Sequence, residues 1–176
     1  MNKTFICCLL FCSFYSFSWA QKNVLRFGAG TTSEVDYNHK TQWGPLLSVE
    51  YQYDFSKYAG IQTRLSFASV NCNPNQVDTY LGGAAGLLVT PLPDKFRYIK
   101  IGANFLYHYH RYAYEYDGKF MLQNNSDVGF GFPIRAYLID NHKHELSVGY
   151  DFITEFQQGE FFCLAHHLAV YFGLKF

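Results

Sequence analysis

Charge is scarce in this sequence. Asp, Glu, Lys and Arg make up 16% of its 176 residues, against roughly 25% in an average soluble domain. The charge that exists is balanced, with 14 basic and 14 acidic side chains. No positive excess is available to displace counterions from phosphates, which excludes a basic nucleic-acid binder. Beyond residue 20 no run of 18 apolar residues occurs, so no spanning helix is encoded there. Helical periodicity is missing as well, and the Ala/Glu/Lys/Leu-rich composition of a coiled coil is absent. Cysteine is sparse. Cys7, Cys8 and Cys12 fall in the first 20 residues, leaving only Cys72 and Cys163 downstream.

What is abundant is aromatic. The chain holds 15 Tyr and 18 Phe beside 14 Gly, and 49% of it is hydrophobic. Such a composition excludes a disordered tail. The length fits one domain of ordinary size.

Residues 1–20 read as an address. Lys3 supplies a short positive start, Phe5 to Phe17 an apolar core, and Ser18-Trp19-Ala20 small residues at the −3 and −1 positions of a cleavage site. This is the pattern of a secretory signal peptide. The apolar stretch is too short to span roughly 30 Å of hydrocarbon comfortably as an anchor. Cys12 follows the bulky Phe11, which disfavours a lipoprotein site. Residues 21–176 are then expected to form the exported domain. They carry 13 basic against 14 acidic side chains. In an oxidising compartment Cys72 and Cys163 can pair, and they read equally well as two unrelated thiols.

From residue 24 onward, apolar side chains recur at every second position, which is a strand signature. Leu168, Val170, Phe172, Leu174 and Phe176 form one face of the last segment, with His167, Ala169, Tyr171, Gly173 and Lys175 on the other. Seven further segments alternate in the same way: 25–30, 47–54, 61–68, 80–89, 99–107, 128–138 and 145–152. Short turns are expected at Asp54–Tyr58, Pro91–Lys95 and Asp140–Lys143, where turn-forming residues gather. Longer loops are expected at Thr32–Trp43, Asn71–Val77, Arg111–Ser126 and Glu155–Leu164. All short turns then lie at one end and all long loops at the other. The predicted fold is all-β, an eight-stranded antiparallel up-and-down transmembrane β-barrel.

The composition of the two faces decides which is inside. A soluble barrel would hold its apolar face inward and show Lys and Glu to water. Here the polar face is rich in Gly and small residues, and its few charges balance. Arg26, Arg64, Lys100, Arg135 and Lys175 are expected to meet Glu50, Glu145, Asp151, Asp78 and Asp127. A narrow lumen requires such pairing, because an uncompensated buried ion costs several kcal/mol. A turn closing Asp54 on Tyr58 would set Glu50 opposite Gln62 and diagonal to Arg64. Aromatics collect at the segment ends: Tyr53, Phe55, Tyr58, Phe96, Tyr98 and Phe176 at the short-turn end, and Trp43, Phe67, Tyr107, Tyr109, Tyr112 and Tyr114 at the other. Two such girdles mark the interfaces of an outer-membrane barrel.

The terminal Leu-x-Val-x-Phe-x-Leu-x-Phe, carried by Val170, Phe172, Leu174 and Phe176, resembles the C-terminal signature of bacterial outer-membrane proteins. With the signal peptide and the eight alternating segments, the whole exported chain resembles the small OmpA- and OmpX-type barrels. Its Tyr- and Phe-rich character is similar to barrels common in Bacteroidetes. The resemblance implies residence in the outer membrane, contact with its lipid and lipopolysaccharide, and recognition of the last strand by the barrel-insertion machinery. It fixes no activity and no surface ligand, because function lives in sites rather than folds.

No catalytic, cofactor-binding or metal residues are expected from the sequence. His108 and His110 have i, i+2 spacing at the outer end of a strand, and a metal would need further ligands. Glu115, Asp117 and His39 are the nearest candidates by sequence. The favoured reading of the histidines is polar interfacial and loop residues. His142 and His144 read as turn surface. Lipid A deacylases on this scaffold carry a His-x-Ser-Asn pattern that His144-Glu145-Leu146-Ser147 does not reproduce, and Ser33 and Ser126 read as ordinary loop residues. Gly82-Gly83-Ala84-Ala85-Gly86 reads as small residues filling a crowded lumen. The Tyr-rich 111–116 stretch reads either as a contact surface or as an extension of its hairpin. The leading expectation is therefore a non-enzymatic barrel with a filled polar lumen, serving surface contact or envelope integrity. The alternatives are a lipid A-modifying enzyme and a carrier of small apolar solutes.

Overall fold

The computed structural model describes residues 22–35, 41–73, 76–91, 98–157 and 160–176. The segment 1–20 lies outside them. The described residues form eight strands: β1 Lys22–Val35, β2 Thr41–Asp54, β3 Ala59–Asn73, β4 Gln76–Val89, β5 Ile99–Tyr116, β6 Lys119–Asp140, β7 His144–Gln157 and β8 Glu160–Lys175. Each pairs antiparallel with the next, and β8 returns to β1, closing the barrel. Closure removes every sheet edge along the wall, the condition for a sheet surrounded by hydrocarbon.

The alternation read from sequence is the alternation of the wall. Leu47, Val49 and Tyr51 of β2, Leu65 and Phe67 of β3, Phe105 of β5, and Leu168, Val170, Phe172 and Leu174 of β8 all face outward. Leu65 is 64% exposed, whereas Arg26 and Arg135 are fully buried. The molecule is thus inside-out relative to a water-soluble barrel. Its buried apolar groups are few. Leu46, Ala68, Tyr80, Ala169 and Tyr171 form one cluster, and Leu106, Ile153 and Ala165 a second.

Three expectations need correction. The segments expected to be long loops are mostly strand. Arg111–Ser126 is the top of one long β5–β6 hairpin, closed by Asp117-Gly118 with φ of 51° and 67°. Both residues occupy the left-handed region that an Asp-Gly hairpin turn uses. From Glu115 to Asn124 both faces are exposed, so the apolar alternation fades while the backbone ladder continues. Among the described residues, β6 pairs with β7 only from Val128 onward, so Lys119–Asp127 rises above β7 with β5 as its partner.

The first turn is also displaced. Asp54 pairs with Gly60, which sets Glu50 directly opposite Arg64 rather than opposite Gln62. Ser56 causes the two-residue slip: its Oγ accepts from the Ala59 N–H at 2.9 Å and the Tyr58 N–H at 3.2 Å, widening the turn. Finally, Tyr112 does not belong to the outer girdle. It shares the inward parity of His110 and stacks on it, with ring centroids 5.7 Å apart.

Candidate functional site

All the buried ionic chemistry of the described residues lies inside the barrel, in two tiers. Strand alternation sends every second side chain inward, so a polar residue repeated at even spacing lines the axis. The lower tier is built on arginine. Arg26 of β1 donates from Nη1 to Glu50 Oε1 of β2 at 2.6 Å, from Nε to Glu145 of β7, and from Nη2 to the Tyr137 hydroxyl at 3.1 Å. Arg135 of β6 donates to the other oxygen of Glu50 at 2.5 Å and lies over the Tyr171 ring at 3.8 Å. Glu50 thus bridges two guanidiniums. Arg64 pairs with Asp151 across the lumen. Toward the short-turn end, Lys100 donates to Asp54 Oδ2 at 2.7 Å, and Lys175 pairs with Asp140 and lies 3.9 Å from Glu145 Oε2. The structure brings Arg26, Glu50, Arg64, Lys100, Arg135, Glu145, Asp151 and Lys175 onto one axis. Asp54 and Asp140 complete the pairing there.

Asp78 and Asp127 do not join these arginines. They lie in an upper tier whose basic groups are imidazoles, which corrects both that pairing and the reading of the histidines. His108 and His110 are not interfacial or loop residues, being 2% and 1% exposed inside the lumen. His110 Nδ1 is 2.8 Å from Asp78 Oδ2, and its Nε2 lies 3.5 Å from Glu155 Oε2 and 3.6 Å from Asp127 Oδ2. His108 Nδ1 contacts Glu155 Oε1. Beside them the Tyr80 hydroxyl lies 2.5 Å from His167 Nε2 and donates to Thr32 Oγ1 at 3.1 Å, while its ring stacks on His108 with centroids 4.9 Å apart.

The acidic partners are Glu155, Asp78 and Asp127, with Glu34 beside them, and not Glu115, Asp117 or His39. Glu115 is exposed near the hairpin tip, and His39 lies outside the described residues. A signal for Glu155 exists in the sequence. It continues the inward parity of Glu145, Ser147, Gly149 and Asp151, although the polar stretch that follows it reads as a loop. Ser33 likewise is buried in β1, not a loop residue. Cys72 and Cys163 lie on β3 and β8, with β1 and β2 between them around the wall. Their side chains are outside the described residues.

No protein-family profile and no curated protein sequence matches this chain. Solved structures do. Ail, the attachment invasion locus protein of Yersinia pestis, superposes with a TM-score of 0.66 over 89% of this chain and 99% of its own, at 10% identity. Neisserial surface protein A matches with a TM-score of 0.60 over 88% of this chain and 97% of its own, at 11% identity. A major outer membrane protein of Thermus thermophilus gives 0.59 over 89% and 100%, at 13% identity. The fold is that of the small bacterial outer-membrane β-barrels. Identities this low carry architecture alone. Both tiers of the lumen are therefore read from this chain's own residues.

Proposed function

We propose that the chain is a non-enzymatic outer-membrane barrel, exported by the 1–20 signal, with a side-chain-filled lumen and an outer hairpin used for surface contact. The apolar wall around a buried, paired ionic axis carries this reading. At eight strands the interior is just wide enough for side chains to fill, and Arg26, Glu50, Gln52, Arg135, Tyr80 and Tyr171 occupy it with at most 1% exposure. An arginine bonded to carboxylates on two strands resists displacement by water or ions, because breaking such a pair leaves a bare buried charge.

The surface role rests on the β5–β6 hairpin. Tyr116 and Phe120 are 72% and 75% exposed at its tip, with Met121 and Leu122 beside them. Large apolar groups displayed above the wall favour contact with another surface. One neighbour by fold, Ail, has been crystallised in complex with a heparin analogue, and such a polyanion is one surface to test. The C-terminal strand, with Val170, Phe172, Leu174 and Phe176, is proposed as the element read by the insertion machinery. Ser147 is inward on β7 while His144 is exposed at the turn, so these two do not form a nucleophile and its base. An apolar-solute carrier is disfavoured by the ionic lumen.

Purified protein in planar lipid bilayers is expected to give no large, stable conductance, and cell fractionation should place it in the outer membrane with heat-modifiable gel mobility. Steady conductance typical of an open aqueous pore would overturn the filled-lumen reading.

A further inference from the structure

The upper tier differs from the lower in kind. Below, each carboxylate of the axis meets arginine or lysine. Above, the basic partners of Glu155 and Asp78 are histidines. We infer that the outer mouth of the lumen is a binding site for one divalent transition-metal ion of the zinc class, held by His108, His110 and Glu155.

The ligand atoms of these three residues all lie within 4.8 Å of one another, and all three residues are buried. A tetrahedral ion with bonds near 2.0–2.1 Å keeps its ligand atoms about 3.4 Å apart. His110 Nε2 and Glu155 Oε2 are already 3.5 Å apart. That spacing is too long for a good hydrogen bond, and Nε2 makes none. It suits two ligands of a shared ion. Asp127 Oδ2, 3.6 Å from the same nitrogen, adds negative charge nearby.

The imidazoles are also oriented as ligands. The bond between His110 Nδ1 and Asp78 Oδ2 turns Nε2 toward Glu155. A carboxylate on the far nitrogen is the usual support for a metal-ligating histidine, because it fixes the tautomer and raises ligand basicity. The His108 ring is held by Tyr80 on one face, and its Nε2 edge rests against Gly82. A Cβ at residue 82 would lie 2.6 Å from that nitrogen. Glycine there lets the ring swing its Nδ1 toward Glu155.

Imidazole with carboxylate selects zinc, copper or nickel over calcium or magnesium, which prefer all-oxygen sites. Glu34 and Asp78, whose ligand atoms also group with those of His110, lie beside the site. Held there, the ion would clasp β5 to β7 across the lumen, beneath Tyr112.

The test uses the untagged exported chain, folded in detergent micelles, stripped with chelator and titrated with Zn2+ and separately with Co2+. One ion per chain is expected, with the ligand-field absorption of tetrahedral Co2+ and a higher unfolding temperature in Zn2+. His110→Gln and Glu155→Gln should abolish this binding. Asp78→Asn should weaken it roughly 10–100-fold as an outer-shell change. His166→Gln, outward on β8, should bind as wild type. Heat-modifiable mobility checks that each variant is folded. Should the ligand variants fail to fold, 15N imidazole shifts of the wild-type chain decide: Zn2+ should move His108 and His110 and leave His142 and His144 in place. Absence of wild-type binding, undiminished binding by folded His108→Gln/His110→Gln, or shifts confined to the turn histidines would overturn the site.

Discussion

Replacing Phe172 by arginine is expected to cost the folded barrel about 2–4 kcal/mol, the penalty for a cation on a lipid-facing wall at the bilayer midplane. Phe172 lies on β8 between Phe27 of β1 and Leu146 of β7 in the ladder, and its ring is 47% exposed. Val170 and Leu174 flank it on the same face. No acidic residue shares that patch among the described residues, so the guanidinium would have to drag water into hydrocarbon or snorkel past other apolar rows. Arginine at Phe176, on the rim, should cost only ~0–1 kcal/mol, because the penalty falls off toward the interface. Equilibrium denaturant unfolding in phospholipid vesicles measures both. Equal losses at the two positions, or a tolerated arginine at 172, would remove the assignment of the apolar wall to lipid.

Glu50→Ala is expected to be at least as damaging. Glu50 is fully buried and accepts from both Arg26 and Arg135. Its removal leaves two guanidiniums facing each other across the axis. Arg26 keeps Glu145, while Arg135 loses its carboxylate at hydrogen-bond distance. Breaking a buried pair at one partner costs roughly 3–5 kcal/mol, chiefly from the charge left uncompensated. Removing Arg135 as well, as Glu50→Ala/Arg135→Met, should recover part of the loss, because the orphaned charge goes with it. A double-mutant cycle by denaturant unfolding reads the coupling. Strictly additive losses would mean that the two side chains do not act as a pair.

The wall of the barrel is legible in the sequence because its signal has only two letters. Lipid requires an apolar residue at every second position, and Leu168 to Phe176 obey this without exception. The lower tier is legible for the same reason, since Arg26, Glu50, Arg135 and Glu145 fall on the opposite parity. Legibility ends where lipid ends. Above the apolar band neither face must be oily, so Arg111–Ser126 reads like a loop although its backbone remains paired. The upper tier is lost there. His108 and His110 have the inward parity, but Tyr107, Tyr109 and Tyr112 around them suggest an interface. Register is a separate difficulty. Which acid meets which base depends on turn length, and Ser56 lengthens the first turn through a side-chain bond that alternation does not encode.

Quenching of tryptophan fluorescence by lipids brominated in their acyl chains reports which face of the wall meets lipid. Residues 21–176 hold a single tryptophan, Trp43, and Trp43→Phe gives a silent background. In that background Val170→Trp and Tyr171→Trp differ by one residue on β8 and point to opposite sides of the wall. In folded, heat-modifiable protein, strong quenching is expected at 170 and little at 171. Equal quenching at the two positions, or stronger quenching at 171, would contradict the assignment of the apolar face to lipid.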